Sequence, residues 1–155
     1  MPEIDDFDRR ILAILQRDNR TPQREIGERV NLSAPAVQRR ISRLETQGVI
    51  AANVAIVAPE KLGRALTIIA EVSVGNERVD ELDAVKQAFC AAPEVQQCYY
   101  VTGDADFVLV LLVADMAEYE RLTRRLFFGN PNVRKFRTLV TMERVKFETA
   151  IALDA

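Results

Sequence analysis

The chain has 155 residues, 48% of them hydrophobic and 28% charged, and carries a net charge of −2. That is the composition of an ordinary globular protein, one domain or two small ones, with a core to bury. The histidine count is 0, which excludes Ser-His-Asp triads, Cys-His pairs and His-ligated zinc, and two cysteines are too few for an all-cysteine zinc site in one chain.

Taken in chain order, the start MPEIDDFDRR is acidic and polar, unlike a secretory signal. Asp5 or Asp6 is placed to cap a first helix, with Phe7, Ile11, Ile14 and Leu15 as its apolar stripe. Thr21-Pro22 reads as an N-cap followed by proline in the first helical position. The second helix then runs to about Val30, with Ile26 and Val30 inward. Gly27 inside it costs about 1 kcal/mol relative to alanine, a cost that makes sense if another helix packs too closely for a side chain. Asn31-Leu32-Ser33 is a short turn, and Ser33 caps a third helix with Pro35 in its first turn. Val37, Ile41 and Leu44 form its buried stripe, and Gly48 ends it.

On a helical wheel the opposite face of this third helix presents Arg39, Ser42 and Arg43, with Gln38 at its edge, and no acid. Arginine can pair with guanine, glutamine with adenine, and small residues permit close approach to the groove. Gln38, Arg39, Ser42 and Arg43 are therefore the candidate base contacts. Arg40 lies beside the core stripe and is assigned to phosphate, with Thr21, Arg24 and Ser33. Between Arg20 and Gly48 stand the arginines Arg20, Arg24, Arg29, Arg39, Arg40 and Arg43 against the acids Glu25, Glu28 and Glu45, whereas acids outnumber bases after Ala51. The basic excess is local, as for one element that meets phosphate.

Val49–Val57 looks like a connecting strand, and Pro59 and Gly63 mark a boundary. The expected division is a helix-turn-helix domain at 1–50, a linker at 51–63 and a second domain at 64–155. The second domain reads as strand Ala65–Val74, helix Arg78–Ala91 with Val79, Leu82, Val85 and Phe89 inward, strand Val95–Val101, and strand Phe107–Val113. A helix capped by Asp115 follows, with Tyr119, Leu122 and Leu126 inward and Asn130-Pro131 at its end, and then a long strand Val133–Val145. The order βαββαβ is ferredoxin-like. The predicted class is α+β, a winged-helix-like helix-turn-helix followed by a ferredoxin-like domain that dimerises sheet to sheet. The dimer is inferred from FVLVLLV, which lacks polar alternation and expects cover on both faces.

Cys90 and Cys98 are expected as small buried hydrophobes. Two thiols without an export signal suggest a reducing cytoplasm, and no apolar run is long enough to span a bilayer. No catalytic residue, metal ligand or cofactor is assigned. Thr102-Gly103-Asp104-Ala105-Asp106 is, on physical grounds, a hairpin turn.

The run DDFDRRILAILQRDNRTPQREIGERVNLSAPAVQRRISRLETQGVI, with APEKLG after it, resembles the Lrp/AsnC (leucine-responsive/asparagine-type, feast-or-famine) regulators. The pattern Leu32-Ser33, Val37, Arg39-Arg40-Ile41, Arg43-Leu44-Glu45, Gly48-Val49-Ile50 carries the resemblance, which continues through most of the chain. It implies a transcription regulator that binds double-stranded DNA, is cytoplasmic and nucleoid-associated, and forms a homodimer often assembled into tetramers or octamers. It also implies an amino-acid effector at the dimer interface, held by the glycine-aspartate loop. The residues matched are Val101, Thr102, Gly103, Asp104 and Asp106, with Thr138 and Thr141 as polar partners across the interface. Ala105 stands where the family usually has an aromatic residue. Two rivals share parts of this pattern: an effector-independent DNA-organising protein, and a ferredoxin-like dimeric enzyme of the haem-decarboxylase type, which relies on histidines absent here.

Overall fold

The computed structural model describes residues 3–153, in two compact units. One runs to Ile56 and takes in the segment from Lys146 onward; the other is Val57–Val145.

The first unit holds α1 (Asp6–Leu15), α2 (Gln23–Val30) and α3 (Ala34–Thr46). Asp5 caps α1 in a capping box: its carboxylate accepts from the Asp8 amide while the Asp8 carboxylate accepts from the Asp5 amide. Ile11, Ile26, Val30 and Val37 are buried together, with Ile14, Leu15, Leu32 and Ile41 packed around them. Phe7, expected on this stripe, is 38% exposed, whereas Leu12 and Asp8 are buried. The helical period places residues 8, 11, 12 and 15 on one face, so Asp8 occupies a core position.

The start of α2 falls one residue later than expected. Pro22 is the N-cap and the Thr21 hydroxyl donates to the Asp18 carbonyl at 2.8 Å. Asn31 ends α2 in the left-handed conformation, φ 59°. That turn folds back on the helix: a Cβ on Gly27 would stand 2.3 Å from the Leu32 carbonyl oxygen. The close neighbour is thus the turn's backbone and not another helix. Ser33 caps α3, accepting from the Ala36 amide at 3.4 Å.

After α3 the connecting strand expected at Val49–Val57 is not formed; Val54, Ile56 and Val57 are exposed in irregular chain. β-prone residues make a strand only where a ladder partner exists. The segment from Lys146 groups with the helices, and the Gln16 side-chain amide both donates to and accepts from the Ile151 backbone, at 3.1 and 2.7 Å.

The second unit is β1 (Leu66–Val74), α4 (Val79–Ala91), β2 (Val95–Tyr100), β3 (Phe107–Val113), α5 (Met116–Thr123), a π turn at Arg124–Phe128, and β4 (Val133–Val140). The antiparallel sheet has the order β2-β3-β1-β4, with the registers Ile68↔Leu111, Ala70↔Leu109 and Val72↔Phe107. Those residues join Leu82, Val85, Phe89, Tyr119 and Leu122 in one core. Burial alternates along β3, so Val108, Val110 and Leu112 point the other way and are half-buried.

Three expectations are corrected here. Val79 is 75% exposed, standing in the first turn of α4 ahead of the residues that pack on the sheet. Cys90 is exposed, one residue off the inward Phe89, and only Cys98 packs partly against the core, where burial pushes its thiol pKa up. The last strand ends at Val140 and not Val145: Ile68↔Val140 is the last paired register, and beyond it Thr141 bonds to the Thr67 carbonyl before the chain leaves the edge of β1.

Gly27→Ala is expected to lower unfolding stability by about 2 kcal/mol through overpacking against the Leu32 carbonyl. Urea unfolding followed by helical circular dichroism checks this.

Candidate nucleic-acid interface and effector loop

Helix α3 is aimed by its buried stripe. Val37 and Leu44 are buried and Ile41 half-buried, which turns Gln38, Arg39, Ser42 and Arg43 outward, all exposed. The face is not a row of free side chains. The Gln38 amide donates to the Ser42 hydroxyl at 3.3 Å, and its carbonyl accepts from Gln23 of α2. Gln23 is thereby a neighbour of this candidate face that the sequence did not single out. Arg39 makes no ion pair among the described residues.

Arg43 Nη2 donates to the Asp8 carboxylate at 2.5 Å. Arg40 Nη1 donates to Asp5 at 2.7 Å and to Asp8 at 2.9 Å, and its guanidinium lies 5.3 Å from the centre of the Phe7 ring. These contacts raise the Arg40 pKa, its bond to Asp5 most of all. They lower that of Asp5, for which the Asp8 backbone amide is the largest cause and Arg40 the next. The Arg40 side chain is only 24% exposed. The guanidinium assigned to phosphate from the sequence is thus engaged inside the unit, where it ties α3 to α1.

Of the other phosphate candidates, Arg24 and Ser33 keep to the surface, whereas the Thr21 hydroxyl is engaged by the Asp18 carbonyl. Arg24 is 88% exposed and loosely paired with Glu28 at 3.2 Å. Ser33 is exposed at the start of α3, and Thr21 is half-buried.

In the second unit, residues 101–106 close the β2–β3 hairpin. Val101 donates to the Asp106 carbonyl at 2.8 Å, and Asp106 donates to the Val72 carbonyl at 2.9 Å. The Asp106 carboxylate accepts the Val74 amide at 2.7 Å, where β1 changes register. Asp106 is a strut of the loop, with one carboxylate oxygen already engaged. Thr102, Gly103 and Asp104 are exposed, and among the described residues their backbone amides have no intramolecular partner. Gly103 has φ 126°, a conformation that a side chain would strain.

The hydroxyls of the two threonines are both engaged within this unit. Thr138 pairs in register with Ala70 on the helix-covered face, and its hydroxyl is 2.5 Å from that of Tyr119. Burial raises the Tyr119 pKa, and this bond opposes it. The Thr141 hydroxyl donates to the Thr67 carbonyl at 2.8 Å. Alternation along the strand brings Arg137 to the open face instead. It pairs there with Glu71 at 2.8 Å, the main cause of its raised pKa.

Residues 4–45 match the family model of the AsnC-type helix-turn-helix domain, and residues 67–151 that of the Lrp/AsnC ligand binding domain. The chain belongs to the Lrp/AsnC family of transcriptional regulators. An HTH-type transcriptional regulator of Sinorhizobium fredii is 43% identical over 98% of this chain and 90% of its own length. The leucine-responsive regulatory protein of Haemophilus influenzae is 37% identical over 92% of this chain and 86% of its own. A transcriptional regulator of Neisseria meningitidis, solved as an L-Met complex, superposes with a TM-score of 0.92 at 26% identity, covering 98% of both chains. As a member of this family the protein is a helix-turn-helix regulator of transcription, and its two matched domains correspond to the helical head and the ferredoxin-like sheet described above. No helix among the described residues is long and apolar enough to cross a membrane.

Arg40→Ala is expected to lower the melting temperature by several degrees, since it leaves the buried Asp8 short of positive charge. The slope of log affinity for DNA against log salt should stay unchanged. Parallel thermal melts and salt titrations on duplex DNA check the two halves.

Proposed function

We propose that the protein reads double-stranded DNA as a homodimer, with the outward face of α3 in the major groove. Gln38, Arg39, Ser42 and Arg43 meet base edges, and Arg24 and Ser33 meet phosphate; Thr21 is not retained, because its amide and hydroxyl both donate to the Asp18 carbonyl. The observation that carries this reading is the exposure of all four base-reading candidates on one acid-free face of a helix whose opposite side is locked in a core. The dimer is supported by the half-buried apolar row Ile69, Val108, Val110 and Leu112 on the sheet face away from α4 and α5. A second sheet laid on that row removes it from water and sets two α3 helices on one duplex.

The loop at 101–106 is read as the effector site, and a small amino acid as its ligand. The unpartnered amides of Thr102, Gly103 and Asp104 suit a carboxylate, and the exposed Asp104 suits an ammonium group. The L-Met complex of the Neisseria protein favours the same ligand class. Thr138 and Thr141 are not retained among the contacts, because both hydroxyls are engaged within the sheet unit. Binding acts on DNA only to the extent that the two assembly states differ in affinity for the ligand.

Arg24→Ala should weaken binding to all duplexes alike and flatten the salt slope by about one. Arg39→Ala should instead cost more on selected DNA than on random DNA; equal loss on both would remove Arg39 from the base contacts. For the loop, at least one of the standard amino acids should raise the melting temperature and shift operator affinity or particle size. A Gly103→Val variant should lose that response while keeping its DNA binding. A full set of titrations without change in any of these would dismiss the effector.

A further inference from the structure

We infer that Asp8, on the first turn of α1, is a positioning residue for base recognition: its buried carboxylate holds Arg43 in the pose that reads a base. The inference rests on the reading of Arg43 as a base contact.

The Asp8 side chain has 0% exposure, yet it is ionisable and stands where α1 otherwise presents Ile11 and Leu12 to the core. Its two oxygens divide their work. Oδ1 takes Arg40 at 2.9 Å; Oδ2 takes Arg43 at 2.5 Å and the Asp5 amide at 3.2 Å. With Asp5 on Arg40, the cluster is two carboxylates against two guanidinium groups and is neutral as a whole.

A buried ion cluster is a poor way to gain stability, because an apolar side chain of similar size often serves as well or better. Capping α1 does not require it either. The amide that Asp8 bonds in the capping box belongs to the exposed Asp5, which water can satisfy. What the carboxylate does that an apolar residue cannot is to fix the direction of two guanidinium groups on another helix.

The two are fixed differently. Arg40 is enclosed by Asp5, Asp8 and the Phe7 ring and is 24% exposed. Arg43 touches Asp8 through Nη2 alone, and its side chain remains 43% exposed. A guanidinium has five N–H donors in a rigid planar fork. One bond through Nη2 leaves the second Nη2 hydrogen, both on Nη1 and that on Nε, so a parallel pair is still free for the two acceptors on the guanine edge. An unanchored arginine would have to freeze its long side chain at the moment of binding, and on random DNA it could equally swing to a phosphate. The bond to Asp8 imposes that order beforehand and holds Arg43 away from phosphate, so it favours the specific site over the rest of the duplex.

The test uses the full-length protein and a duplex selected by the wild type from a randomised DNA pool, beside a random duplex of equal length. Asp8→Asn keeps the shape and removes the charge. It is expected to weaken binding to the selected duplex about tenfold, the scale of one bidentate base contact. Binding to the random duplex should stay level or strengthen, since Arg43 is released toward phosphate. Repeated selection with D8N should relax the same base position that Arg43→Ala relaxes, and D8N combined with R43A should lose no more selectivity than R43A alone.

If R43A relaxes a position and D8N does not, or if D8N weakens both duplexes in equal ratio, the inference is overturned while the base-reading assignment stands. If R43A relaxes no position, that assignment fails and the inference falls with it. Should D8N melt below the assay temperature, D8N combined with Arg40→Gln restores the charge balance of the cluster, and the same comparison is made on that pair.

Discussion

Asp8 lies out of reach of water, and a carboxylate in that position must be matched by positive charge from the protein itself. The match comes from Arg40 and Arg43, one turn apart on α3. That requirement sets the rotation of α3 about its own axis against α1, beyond what the apolar contacts of Val37 and Leu44 would fix. It also sorts the arginines of the head into kinds. Arg40 belongs to the interior, Arg43 to the boundary between the interior and the outer face of α3, and Arg39 and Arg24 to the surface.

The sheet unit is governed by a different constraint. A four-stranded sheet with two helices has cover for one face only, and every fully buried sheet residue belongs to that face or to the end of β1. β1 sits between β3 and β4, so changes at either neighbour are felt there. Its register shift at Ser73 and Val74 is where the Asp106 carboxylate is captured. The loop at 101–106 is therefore bound to the central strand and is not a free hairpin tip. Among the described residues the amides of Thr102, Gly103 and Asp104 stay unpartnered on this anchored loop.

Much of this was legible because the relevant physics is local. The spacing of Val37, Ile41 and Leu44 put Gln38, Arg39, Ser42 and Arg43 on the outside, and all four are exposed. Asp115 reads as a cap from its place ahead of an apolar stripe, and it accepts from the Glu118 amide at 2.8 Å. Phe107–Val113 was bounded to the residue. Other features were hidden because they depend on a partner distant in sequence. Asp8 offered one usable signal, an acid three and four residues ahead of buried Ile11 and Leu12, but nothing in the chain order says that Arg40 and Arg43 lie opposite. Strand alternation alone does not say which face α5 covers, and the bond to Tyr119 places Thr138 on that face.

The sequence by itself determined the parts that follow from periodicity, capping and turn chemistry: three short helices with a basic outer face, the βαββαβ order, and the glycine-aspartate hairpin. These rest on interactions within one turn of helix or one pair of neighbouring strands. Only the tertiary structure decided what each exposed-seeming charge is for. Pairing across 32 or 35 residues, as for Arg40 and Arg43 with Asp8, or across 66, as for Arg137 with Glu71, depends on which surfaces meet once the chain has folded. The apolar stretch at Val49–Val57 shows the same rule from the other side, since its β-prone residues meet no ladder partner among the described residues and form no strand.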